Sequence, residues 1–149
     1  MLDLNYGPLA ESTGFLLHVA QIEDHESFAR RFADQQVTPG VYSIMTLIKS
    51  NPGVQQGVIA EALKIKPARM TKVIKKLVDK GLVARRIPET NRRMVLLSLT
   101  EKGNDFLELH GDSVERFMAQ GCSKLSRHEQ NQLNVLLKKM ISASPQSSS

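Results

Sequence analysis

The chain has 149 residues, 41% of them apolar, and a formal net charge of +5. A chain of this length buries roughly 70% of its unfolded surface, so one core with attached helices can fold without a disulfide or a metal. Its single cysteine, Cys122, excludes an internal bridge, no apolar run reaches the ~20 residues of a membrane span, and "MLDLNYGPLAES" lacks a leader pattern, so a cytoplasmic protein is expected.

Residues 9–35 are predicted helical, with Phe15, Val19 and Ile22 in one stripe and Phe28 and Phe32 continuing an apolar face. A second helix opens in "VTPGVYSIMTLIKS". Thr38 is its expected N-cap and Pro39 its first residue, where a missing N–H costs nothing. Val41, Ile44, Met45 and Ile48 supply its buried face, and Asn51, Pro52 and Gly53 end it. A short helix at 55–63 should bury Val58, Ile59, Ala62 and Leu63. The next, at 67–80, carries Met70, Val73, Ile74, Leu77 and Val78 in an i, i+3, i+4, i+7, i+8 stripe closed by Gly81. Lys66 stands at its N-cap with no side-chain acceptor.

"GLVARRI" and "MVLLSLT" then read as the arms of a lone β-hairpin around a polar turn at Pro88, Glu89, Thr90 and Asn91. Thr100 caps a helix whose main apolar residues are Phe106, Leu109, Val114, Phe117 and Met118. Ser126 and Glu129 form a capping box for a last helix striped by Leu133, Leu136, Leu137, Met140 and Ile141. The Ser-rich end, 144–149, is expected to be a disordered tail.

Charge is unevenly spread along this order. Residues 1–36 hold six acidic side chains against two basic ones, whereas residues 64–103 hold twelve basic against three acidic. The basic stretch coincides with two short helices followed by a hairpin, the order of a helix-turn-helix with a wing. With the Met70 stripe buried, Ala68, Arg69, Thr71, Lys72, Lys75, Lys76 and Asp79 face outward. A narrow cationic helix face fits the major groove of DNA, where arginine grips guanine and lysines suit phosphates. An isolated two-stranded hairpin gains little stability in water, so the adjacent Arg92 and Arg93 at its tip point to a partner. The minor groove, whose negative potential attracts inserted arginine, is the expected one.

The run from "VTPGVYSIMTLI" through "GVIAEALKIKPARMTKVIKKLVDKGLVARR" to "NRRMVLLSLTEKG", residues 37–103, resembles the multiple antibiotic resistance regulator (MarR) family of bacterial winged-helix repressors. The pieces "KGLVARR", "NRRMVLLSLT" and "TEKG" carry most of the likeness. The resemblance implies a mainly α fold with a small β-hairpin wing: a winged helix-turn-helix at 37–100 with N- and C-terminal dimerisation helices at 1–36 and 101–143. It also implies a homodimer, and a small, often aromatic or phenolic ligand held between the interface and the DNA-binding lobe. The chain departs from the family pattern at the wing. Asn91 stands where an aspartate usually lies two residues before Arg93, and Pro88 replaces another. Asn91 can accept a hydrogen bond from Arg93 but supplies no charge.

DNA contacts are therefore expected at Ala68, Arg69, Thr71, Lys72, Lys75, Lys76, Arg92 and Arg93. Ligand candidates are His18 and His25, seven apart on the first helix, with Tyr42 and Met45 on the second. For the histidines the alternative is a packed or interfacial pair; for Tyr42 and Met45 it is the core. No cofactor or metal is expected, since His110 and His128 show no ligand spacing and no cysteine pair exists. No Gly-rich phosphate loop, nucleophile elbow or carboxylate pair suggests an enzyme. The expected function is a homodimeric repressor that binds double-stranded DNA at a pseudo-palindromic operator and is released by a small-molecule effector. The alternative is a winged-helix regulator or architectural DNA binder with no effector.

Overall fold

A 3₁₀ turn over Gly7–Glu11 delays the first helix beyond the start that apolar spacing predicts. Ser12 is extended, accepts from the Phe15 N–H at 3.4 Å, and so caps α1 at Thr13–Arg31. Apolar periodicity runs through that cap, which is why spacing alone misses it. The computed structural model describes residues 3–33, 37–120 and 124–142. Cys122 and the tail at 144–149 lie outside the described residues.

α2 spans Pro39–Ser50, with Thr38 accepting from the Val41 N–H at 3.2 Å and Pro39 opening the helix. Its buried Tyr42, Ile44, Met45 and Ile48 form the middle of the core. After a left-handed Gly53 come β1 (Val54–Gln55) and α3 (Gln56–Ala62). Lys64, also left-handed at φ 52°, makes the tight turn into α4 (Pro67–Asp79), an arrangement that costs a β-carbon-bearing residue about 1–2 kcal/mol. β2 (Val83–Arg86), β3 (Leu96–Leu99), α5 (Glu101–Gln120) and α6 (Arg127–Ser142) complete the order.

The hairpin does not stand alone. Its inner strand β3 also pairs with β1, giving a three-stranded antiparallel sheet in the order β1-β3-β2. Val54 lies opposite Leu97 on one side, and Arg85 lies opposite Leu97 on the other. The Gly53 N–H donates to the Leu97 carbonyl at 2.9 Å and extends the pairing. The base of the wing is therefore built into the lobe, and only the loop beyond Arg86 and Leu96 projects.

Phe28 of α1 and Phe32 at its C-cap are buried, and each meets Phe117 of α5 edge to face, at ring centroids 5.3 and 5.7 Å apart. From α3, α4 and β3, Ile59, Met70, Ile74 and Leu97 complete the same cluster. One expectation needs correction. Val58 and Ala62 are exposed, because the seven residues of α3 turn only Ile59 and Ala60 inward. On α5, Val114 is buried and Phe106 and Phe117 pack against the core, whereas Leu109 is 76% exposed; on α6, Ile141 is 74% and Val135 66% exposed. No helix among the described residues is long and apolar enough to cross a membrane.

Candidate nucleic-acid interface

α4 is held from below by Met70, Ile74 and Leu77, all buried, so its opposite face can only turn to solvent. Ala68, Arg69, Thr71, Lys72, Lys75 and Lys76 are all exposed there. Lys66, at the N-cap, makes no side-chain capping bond, which leaves the first backbone N–H groups of α4 without a side-chain acceptor. Two side chains of this face have partners. Lys75 Nζ donates to Asp79 Oδ2 at 2.8 Å, an exposed i,i+4 pair. Gln56 Nε2 on α3 donates to Thr71 Oγ1 at 3.1 Å.

The segments "KGL" and "TEKG" form one joint that fixes the end of α4 to the start of α5. Gly81 closes α4 with φ 71°. Thr100 Oγ1 donates to the Gly81 carbonyl at 2.6 Å and accepts from the Gly103 N–H at 3.0 Å. Lys102 Nζ donates to the Lys80 carbonyl at 2.9 Å. Gly103 lies so close to Leu82 that a β-carbon built on it would stand 2.1 Å from the Leu82 carbonyl oxygen. The wing and α4 thus share one root.

At the tip, Asn91, Arg92 and Arg93 are exposed. Asn91 Oδ1 accepts from the backbone N–H of Arg93 at 3.1 Å, and the Met94 N–H donates to the Asn91 carbonyl at 3.0 Å. The hydrogen bond anticipated between these residues exists, but it orders the main chain of the turn. Arg85 and Arg86 on β2 are exposed as well. They were legible only as part of the basic stretch, since nothing in a strand of four residues marks which face meets a partner.

Two cavities adjoin the lobe. One of about 220 Å³ lies among α1, α2, α5 and α6, lined by Asp24, Phe28, Tyr42, Phe117 and Leu133. Tyr42 donates to Glu115 Oε1 at 3.4 Å, and its hydroxyl pKa is raised, first by burial and then by the Glu115 charge. The other, of about 870 Å³, opens between α2, α4 and α5, with Val73, Leu77 and Phe106 in its wall and Lys76, Lys80 and Lys102 at its edge. Of the four ligand candidates, Tyr42 lines the first of these two cavities and the other three line neither. Met45 is fully buried in the core, and His18 and His25 are exposed on α1. Among the described residues no three His, Cys, Asp or Glu side chains come together to hold a metal ion.

Residues 37–95 match the model of the MarR family. A Thauera aromatica protein named for transcriptional regulation of the hcr operon is 33% identical over 141 residues, spanning 94% of this chain and 85% of that protein. The repressor CouR, solved bound to a 23-mer DNA duplex, is 28% identical, with a TM-score of 0.80 over 93% of this chain and 99% of its own. BpsR of Bordetella bronchiseptica, solved in work on regulation of its DNA binding by 6-hydroxynicotinic acid, shares the fold at 23% identity. Its TM-score is 0.83 over 95% of this chain and 100% of its own. The chain belongs to the MarR family and is a winged-helix transcriptional regulator that binds DNA.

Proposed function

We propose that the protein is a homodimeric repressor, released from a pseudo-palindromic operator by a small, aromatic or phenolic ligand. One observation carries this reading: α4 presents a cationic face while apolar side chains of the last two helices, Leu109, Leu136 and Ile141 among them, remain exposed. Residues 37–100 act as the DNA-binding lobe, and 1–36 with 101–143 as the dimerisation region. Two-fold symmetry places the two copies of α4 about one DNA turn, ~34 Å, apart. In this reading Arg69 and Thr71 meet base edges, Ala68 leaves room for a thymine methyl, and Lys72, Lys75 and Lys76 hold phosphates. Arg92 and Arg93 enter the minor groove. The DNA complex of CouR supports the DNA arm of the reading, and the regulation of BpsR by 6-hydroxynicotinic acid supports the effector arm.

The effector cavity is the one between α2, α4 and α5, because Lys76 belongs both to its edge and to the DNA face. A ligand there competes with DNA for the position of α4. The protein acts in the cytoplasm, without enzymatic turnover and without a cofactor. A thermal-shift screen of small aromatic acids, followed by titrations of a selected operator, tests the reading. A ligand that raises the melting temperature and saturably releases the operator is expected. Release with no thermal shift, or a stable monomer in sedimentation at micromolar concentration, overturns it.

A further inference from the structure

Gln56 lies outside the residues expected to touch DNA, yet it joins three parts of the lobe. Its backbone N–H donates to the Val95 carbonyl at 2.8 Å, at the root of the wing. Its side chain crosses to α4 and donates to Thr71 Oγ1 at 3.1 Å. A hydroxyl that accepts through one lone pair still carries a proton to give. Among the described residues that proton has no acceptor, and Gln56 Oε1 has no donor. Thr71 is exposed, and Gln56 is half-buried beside it.

We propose that Gln56 is a specificity-determining residue that positions Thr71 to read adenine in the major groove. The inference rests on the reading of α4 as the helix that meets base edges. Glutamine alone matches adenine with its amide, accepting from N6 and donating to N7. Here the amide donor is already spent on Thr71, and the hydroxyl proton of Thr71 takes its place. The couple then presents one acceptor, Gln56 Oε1, next to one donor, the Thr71 hydroxyl. Adenine is the base whose major-groove edge offers a donor beside an acceptor; guanine offers two acceptors. The Gln56 amide also pins the hydroxyl rotor, so a group that rotates freely on a bare helix arrives at the DNA already oriented.

Duplexes selected from a randomised library by the wild-type protein supply the probe. Adenine is expected at one position in each half-site. Gln56→Ala and Thr71→Val should each reduce the preference for adenine there by about tenfold. The double variant should lose no more than either single one, because the two residues act as a unit. Thr71→Ser keeps the hydroxyl and should keep the preference. If Gln56→Ala lowers the melting temperature of the lobe, Thr71→Val decides alone, since it leaves α3 intact. Selection of another base at that position, additive losses, or a preference that survives Thr71→Val overturns the proposal. Arg69→Ala run in parallel separates the two readings. A loss confined to the position of Arg69, with Gln56 and Thr71 silent, overturns this inference and leaves α4 as the reading helix. Unchanged preferences in all three variants overturn both.

Discussion

Lys75 and Asp79 form an ion pair at 2.8 Å on the exposed face of α4, with both side chains more than half accessible. A pair this open contributes at most about 0.2–1 kcal/mol to stability, because water and salt screen it. Its larger effect is on the field that DNA meets. Asp79 offsets one of the four cations of the face and holds Lys75 along the helix axis.

Asp79→Ala should therefore tighten binding to operator and random duplexes alike and steepen the salt dependence by about one phosphate contact per half-site. Lys75→Ala should weaken both by a similar factor and flatten the salt dependence. Anisotropy titrations at two salt concentrations measure this. An effect of Asp79→Ala confined to the operator would mean that the residue sits at a base edge.

Gly103→Ala probes the joint between the wing root and α5. A helix glycine replaced by alanine ordinarily gains roughly 0.5–1 kcal/mol from propensity. Here the new methyl would meet the Leu82 backbone at 2.1 Å, and backbone cannot swing aside as a flexible side chain can. A net loss of about 1–3 kcal/mol is expected, as for other overpacked sites, with a lower melting temperature. A stabilised Gly103→Ala protein would show that the joint between Leu82 and Gly103 relaxes freely.

Caps and long stripes made most of this fold legible. Thr38, Thr100 and Ser126 each mark a helix start through a short local bond, and the Met70 stripe of α4 runs over more than two turns. Features that depend on a distant partner were hidden. β1 is two residues long and exists only because Leu97 pairs with it, so no local periodicity announces it. Gly103 reads as a weak helix residue until Leu82 is seen against it. The outward face of α4 followed from its buried stripe. Gln56, a polar residue at a helix start, carried no such signal, and its side-chain partner lies fifteen positions away.

The capping box of α6 predicts a pH dependence. Glu129 accepts from the Ser126 hydroxyl at 2.7 Å and from its N–H at 2.8 Å, and these bonds hold its carboxyl pKa below the ordinary carboxylate value. A depressed folded-state pKa contributes stability above the unfolded pKa and loses it as pH falls through the folded one. Ser126→Ala should thus melt lower than wild type near neutral pH, with the gap narrowing below the ordinary carboxylate range. Melting curves across that acidic range measure the gap. A gap that stays constant with pH would remove Glu129 from the account.

The wing tip allows the sharpest separation of folding from binding. Arg93 is exposed, and its backbone N–H donates to Asn91 Oδ1. Arg93→Ala keeps that N–H, so the turn and the melting temperature should hardly change. DNA binding should weaken by more than the loss of a distant surface charge would cause, most of all on operators with A·T-rich flanks, where the minor groove is narrow. Asn91→Ala does the opposite local chemistry: it removes the acceptor and loosens the turn while sparing every cation. It should weaken the same A·T-flanked operators, though less than Arg93→Ala. Asn91→Asp keeps the acceptor and strengthens it with charge, yet sets a negative group near the phosphates. Orientation should win narrowly, giving equal or slightly tighter operator binding and weaker binding to random duplexes. Paired titrations of A·T- and G·C-flanked operators read all three variants. Equal, small losses for Arg93→Ala on both flanks would mean that the wing meets phosphates only, and that its arginines do not enter the groove.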